Sequence, residues 1–216
     1  DARIGDLAFS RADRTLWGVR HLNGIVSLVR MAPPYREWTR VHSWPYGTVV
    51  YDLDVSPDGS RLSASFGEIS GRQDVRVFRT SRVLDGDLTP ELTFDFGPSV
   101  PSGFVFTRDG SALVGSSYYT GVSNIFKYDL ASREISALSN TETGFFRPVP
   151  RPDDSDLFVF RYSGAGFVPT RIEAKPLEDV SAITFFGERL VETHPVLKTW
   201  MVGSPNAVKL EVKALV

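Results

Sequence analysis

One turn recurs four times in this chain and sets limits on what it can fold into. Its clearest copy is Val55-Ser56-Pro57-Asp58-Gly59-Ser60-Arg61-Leu62, a hydrophobic strand end, a Ser-Pro-Asp-Gly turn and the start of a second strand. Proline suits the second position of a type I or II turn, and glycine accepts a positive φ near its end. Ser10 to Leu16, Thr107 to Leu113 and Arg151 to Leu157 stand in the same frame. The anchoring leucines, Leu16, Leu62, Leu113 and Leu157, lie 46, 51 and 44 residues apart. A period of about 40–50 residues with four short strands per unit is the signature of a β-propeller blade.

The fold class is therefore all-β, a propeller with four recognisable blades at about 4–44, 51–97, 101–140 and 145–190, and it reads as a fragment of a larger ring. Strands alternate by two, as in Tyr51 to Val55, where one face is buried. The third-strand positions are Ile25 to Arg30, Asp74 to Arg79, Asn124 to Leu130 and Val168 to Ala174. Fourth strands are expected at Trp38 to Ser43, Glu91 to Phe96, Ile135 to Leu138 and Ile183 to Phe186. A longer loop through Leu84-Asp85-Gly86-Asp87 accounts for the 51-residue spacing, and no helix of useful length is expected. Residues 196–216, with the alternating Val208 to Val212, form a closing strand or a linker to a further domain. Stacked blades bury faces that a lone four-stranded sheet leaves wet. Phe9, Phe78, Phe106 and Phe126 sit at matched places and are expected to fill the gaps between blades.

Composition narrows function more than it defines it. The 216 residues carry a net charge of -2, which gives no general attraction to nucleic acid or anionic membrane. With no Cys there are no disulfides and no thiolate metal sites. No stretch approaches the roughly 20 apolar residues of a membrane helix, so no direct membrane insertion is expected. The chain starts at Asp1 and reads as a mature region or an excised piece. There is no Gly-x-Ser-x-Gly elbow, no His-Glu-x-x-His and no phosphate-binding glycine loop. His21, His42 and His194 fall in three separate regions. The turn aspartates read as turn formers, since no Asp-x-Asp-x-Asp-Gly spacing supports calcium. No catalytic residue, metal or cofactor is assigned.

The Ser56 to Leu62 turn, followed in the next unit by Ile125-Phe126-Lys127-Tyr128-Asp129-Leu130 and Ile135 to Leu138, resembles the repeat of TolB-type propellers. It is also similar to the WD-repeat-like units of prolyl oligopeptidase-type propellers. Tyr118 to Phe126, Thr141 to Pro148 and Ile183 to Trp200 resemble a bacterial set in which such a propeller precedes a surface-antigen-like outer-membrane barrel, some members carrying a metallopeptidase-like domain upstream. Unit one lacks the turn Pro and Gly, and unit four lacks the Gly. The resemblance implies a periplasmic or cell-envelope setting and a propeller whose innermost strand precedes the turn. The turns then lie on one face. The loops at 21–24, 45–48, 68–72, 98–103, 118–123, 142–147 and 163–167 lie on the other.

Loops on a rigid scaffold are where recognition usually resides. The candidate partner-binding residues are Tyr118, Tyr119, Arg147, Phe167, Asp52 and Asp54. Exposed Tyr beside Arg is common in protein-binding hot spots. Asp52 and Asp54, two apart on the innermost strand, either present carboxylates to the channel or bond to backbone groups or a neighbouring Arg, Arg147 being a candidate for that partner. The expected function is a non-catalytic propeller module that binds a protein or peptide. The alternatives are a gating propeller for a peptidase domain outside this chain and a purely structural spacer.

Overall fold

The computed structural model describes residues 3–177 and residue 194. Four antiparallel sheets follow one another along the chain. The first holds β1 (Arg3–Phe9), β2 (Leu16–Leu22), β3 (Ile25–Met31) and β4 (Thr39–Ser43). The second holds β5 (Val49–Val55), β6 (Arg61–Gly67), β7 (Gln73–Arg79) and β8 (Leu92–Phe94). The third holds β9 (Pro101–Phe106), β10 (Ala112–Ser117), β11 (Asn124–Asp129) and β12 (Ile135–Ala137). The fourth holds β13 (Phe145–Pro150), β14 (Asp156–Ser163) and β15 (Gly166–Glu173). Its expected fourth strand at 183–186 and the segment 196–216 lie outside the described residues.

In each sheet the strands pair in sequence order, and the first strand contacts the first strand of the next sheet. These first strands are therefore innermost. Among the described residues, no strand of the fourth sheet pairs with the first sheet. The packing between blades forms three apolar layers. Trp17 and Val19 meet Leu62 and Phe66 between blades one and two. Val75 and Val77 meet Phe104, Leu113 and Phe126 between blades two and three. Val114 and Ile125 meet Leu157 and Val159 between blades three and four. A middle strand is covered on both faces, so β10 is buried along its whole length. Each large apolar side chain taken from water in these layers contributes about 1.5–3 kcal/mol.

The expectation for the aromatics holds for Phe78, Phe106 and Phe126, which join the layers. It fails for Phe9, which is 52% exposed at the inner end of the first blade. The Leu84 to Asp87 loop is preceded by a short helix, α1 (Thr80–Leu84), which lays Val83 into the first layer. Gly86, at a φ of 87°, ends it. Five residues are too few to show a helical period, and so the sequence pattern missed it.

The turn that organises the sequence is held by its own side chains. The Ser56 hydroxyl donates to Asp58 at 2.6 Å and accepts the Arg61 N–H at 2.9 Å. Asp58 also accepts from the Ser60 N–H at 3.0 Å and the Ser60 hydroxyl at 2.7 Å. Thr107, Asp109 and Ser111 repeat this network. These bonds hold the Asp58 carboxyl down at about 2.

Candidate functional site

The inner strands share a second repeated feature. Each is interrupted by a bulge: between Gly5 and Ala8, between Tyr51 and Asp54, between Ser102 and Val105, and between Phe146 and Val149. The residue in each bulge has a positive φ: Asp6 at 46°, Asp52 at 52°, Gly103 at 63° and Arg147 at 48°. These four positions keep the 46, 51 and 44 spacing of the leucines. A bulge bends its strand and turns one residue out of the ladder. A bulky residue in the left-handed region persists only where its surroundings enforce it.

The bulges join neighbouring blades. The Asp52 N–H donates to an Asp6 carboxylate oxygen at 3.2 Å. Asp52 Oδ2 in turn accepts the Gly103 N–H at 2.6 Å. Asp54 Oδ2 accepts the Phe106 N–H at 2.8 Å. Both aspartates of the second inner strand thus hold the third. Burial pushes both carboxyls above the usual range. For Asp52 the charge of Asp6 adds to the rise, while the Gly103 N–H and Arg147 oppose it. For Asp54 the Phe106 and Val55 N–H groups and Arg108 oppose it. Of the two expected arrangements, the structure shows backbone bonding. Arg147 influences Asp52 but makes no ion pair with it: no salt bridge to Arg147 exists among the described residues.

Three of the candidate residues gather where the loops of blades three and four meet. Ser102, Ser116, Phe146, Arg147, Phe160 and Phe167 line a cavity of about 400 Å³. Tyr118 reaches it through the Phe146 ring at 6.1 Å, and Phe146 meets Phe167 edge-on at 5.4 Å. Tyr162 extends the row from Phe167, also at 5.4 Å. Tyr118, Tyr162 and Phe167 are each more than half exposed. Arg147 is exposed beside them. Edge-to-face spacings of 4.5–7 Å are favoured geometry, so the row holds itself together without being covered.

Tyr119 does not join this group. Adjacent residues at a strand end point to opposite sides, and Tyr119 packs on Phe96 at 6.0 Å and Phe126 at 6.3 Å. It lines a separate groove with Thr120 and Ile135. Phe146, Phe160 and Tyr162 were missed as site residues. Phe146 precedes the bulge, and the strand pairing sets Phe160 opposite it. That pairing was available from the repeat, but the bulge that displaces Arg147 was not. His42 stacks edge-on with Trp44 at 5.0 Å. Among the described residues, no three His, Cys, Asp or Glu side chains are disposed to hold a metal, and no helix is long and apolar enough to cross a membrane.

No protein-family model and no curated protein matches this sequence. Solved structures do match. TolB from Acinetobacter baumannii aligns with 14% identity and a TM-score of 0.64, over 81% of this chain and 42% of TolB. An oligogalacturonate lyase in complex with manganese aligns with 13% identity and a TM-score of 0.61, over 82% of this chain and 49% of the lyase. A prolyl endopeptidase aligns with 12% identity and a TM-score of 0.56, over 80% of this chain and 28% of that enzyme. The chain thus spans less than half the length of each. TolB, a lyase and an endopeptidase share the architecture, so the likeness speaks for architecture and not for chemistry. Four successive sheets, innermost first strands and a turn repeated in frame after each of them make the fold of this chain that of a TolB-like β-propeller.

Proposed function

We propose that this chain is a non-catalytic propeller module that binds a protein or peptide segment in a bacterial cell envelope, on its loop face at the junction of blades three and four. One observation carries the reading. A contiguous row of rings, exposed Tyr118, Phe167 and Tyr162 joined through half-buried Phe146, adjoins a cavity of about 400 Å³ that holds Arg147 with no ion-pair partner among the described residues. Exposed apolar surface of this kind is costly to leave bare and marks an interaction site. Aromatic rings and arginine are the residues that dominate protein-binding hot spots. The rings rest on strands and short turns, so little ordering entropy is lost on binding.

The test uses peptides selected from a random display library on the wild-type chain. Their affinities are then measured for Tyr118→Ala, Phe167→Ala and Arg147→Ala, with Tyr119→Ala as the off-site comparison. Truncating a hot-spot side chain costs about 2 kcal/mol or more, roughly thirtyfold in Kd. The three site variants are expected to lose binding on that scale while their circular dichroism and melting temperature stay near wild type. Undiminished binding by all three would remove the site.

A further inference from the structure

The turn face carries a second cavity, of about 560 Å³, on the inner ends of all four blades. Its rim is built by one repeat position, the second residue of each turn. That position reads Arg11, Pro57, Arg108 and Pro152 in blades one to four, and all four residues line the cavity. Its wall includes Phe9 and Phe106, the last residues of their inner strands. This explains why Phe9 is not buried between blades as the repeat suggested.

The charge balance of the rim follows from its hydrogen bonds. Each turn carboxylate is occupied by its own turn or the neighbouring one. Asp58 and Asp109 bind their serine and threonine partners, and Asp153 binds Ser155. Asp154 accepts the N–H groups of Arg108 and Asp109 at 2.8 and 2.9 Å, and Asp13 accepts that of Thr15 at 3.1 Å. Asp54, the one acid on the cavity wall, accepts the Phe106 N–H and lies near enough to Arg108 for their charges to interact, without forming an ion pair. The arginines are different. Arg11 makes no hydrogen bond or ion pair among the described residues, and Arg108 spends only its Nε, on the Pro150 carbonyl at 3.4 Å. Two alternate blades therefore present guanidinium groups over a mainly polar wall, to which Phe9, Pro57 and Pro152 add exposed apolar surface.

The geometry points to this funnel as a second binding site, one that takes an extended acidic peptide, with carboxylates on Arg11 and Arg108 and apolar side chains against Phe9, Pro57 and Pro152. Guanidinium groups recognise carboxylates by paired N–H donors. The two prolines and Phe9 supply the apolar contacts that a peptide needs between its charges. A nucleic acid is disfavoured. It requires several phosphate contacts, and the whole chain is net negative, at -2. This site is independent of the loop-face reading, since the two share no lining residue.

The probe is a fluorescein-labelled pentapeptide, Glu-Leu-Glu-Leu-Glu, with Gln-Leu-Gln-Leu-Gln and a single-stranded DNA oligomer as comparisons, read by fluorescence anisotropy. The glutamate peptide is expected to bind about tenfold tighter than the glutamine peptide, and R11Q with R108Q to remove that advantage. Binding is expected to weaken with added salt, because exposed charge pairs are screened. Y119A should leave it unchanged. Arg11 is exposed and makes no internal contact of its own, so R11Q alone, expected to cost about threefold, keeps the test open if the double variant unfolds. Equal affinity for the two peptides would overturn the proposal. So would unchanged binding in the arginine variants, loss of binding in Y119A, or DNA binding as tight as the peptide.

Discussion

Replacing Asp54 by alanine tests whether the inner carboxylates hold the blades together. The Asp54 carboxylate takes the Phe106 N–H at 2.8 Å, across the boundary between the second and third inner strands. Phe106 is buried in the layer between those blades. Truncation therefore leaves a buried N–H without its acceptor, which costs about 1–3 kcal/mol. The bond has a charged acceptor, which places it toward the upper part of that range. Burial of the carboxylate, seen as its raised pKa, works against it. The expected net loss is about 2 kcal/mol, or a fall of about 4–8 °C in melting temperature for a chain of this size. Asp54→Asn keeps an acceptor oxygen and should recover most of the loss. Urea unfolding followed by circular dichroism measures both, with unchanged slope showing that only stability moved. Wild-type stability in Asp54→Ala would refute the reasoning, as would an Asn variant no better than the Ala one.

Other perturbations probe different parts of the same account. Gly115→Ala would drive a Cβ into the Phe104 ring, which is fully buried and ringed by Phe94 and Phe96; overpacking of about 1–3 kcal/mol should appear as a lower melting temperature. Asp154→Ala removes the acceptor of two N–H groups in the neighbouring turn and should speed amide hydrogen exchange at Arg108 and Asp109, with little effect at Gly59. Asp58, held down at about 2, is lowered in the folded state, so its stabilisation is present above its unfolded value and is lost as pH falls from about 4 through about 2. Comparing acid unfolding of wild type and Asp58→Asn should show the gap closing over that window; a gap that persisted below it would contradict the assignment.

The sequence made the architecture readable because a period of two and a repeat of 44 to 51 residues are both written in side-chain type. The four turns located the blades, and the strand before each turn proved innermost. What escaped was geometry with no fixed residue type. The bulge position is Asp, Asp, Gly and Arg in the four blades. Only its spacing, identical to that of the leucines, betrays it. For Asp52 and Asp54, two apart and so on one face by alternation, the sequence allows either carboxylates in the channel or bonds to backbone or a neighbouring Arg. The bulge between Tyr51 and Asp54 breaks that alternation, and both carboxylates turn to the next strand. At least one of Tyr118 and Tyr119 was legible as exposed, but which of them met the Arg147 cavity depended on the side of the sheet each ring left. The turn face was read as purely structural from its aspartates. Its arginines, at the position proline takes in the other two blades, show that the same repeat position can shape a turn or face a cavity.

The central claim is that recognition belongs to the aromatic row around Arg147. Isothermal titration of a library-selected peptide against wild type, Phe167→Ala, Tyr119→Ala and Asp54→Asn tests it most directly. The account predicts a loss of roughly thirtyfold or more for Phe167→Ala and wild-type affinity for the other two. Full affinity in Phe167→Ala, or a loss confined to Tyr119→Ala or Asp54→Asn, would contradict it.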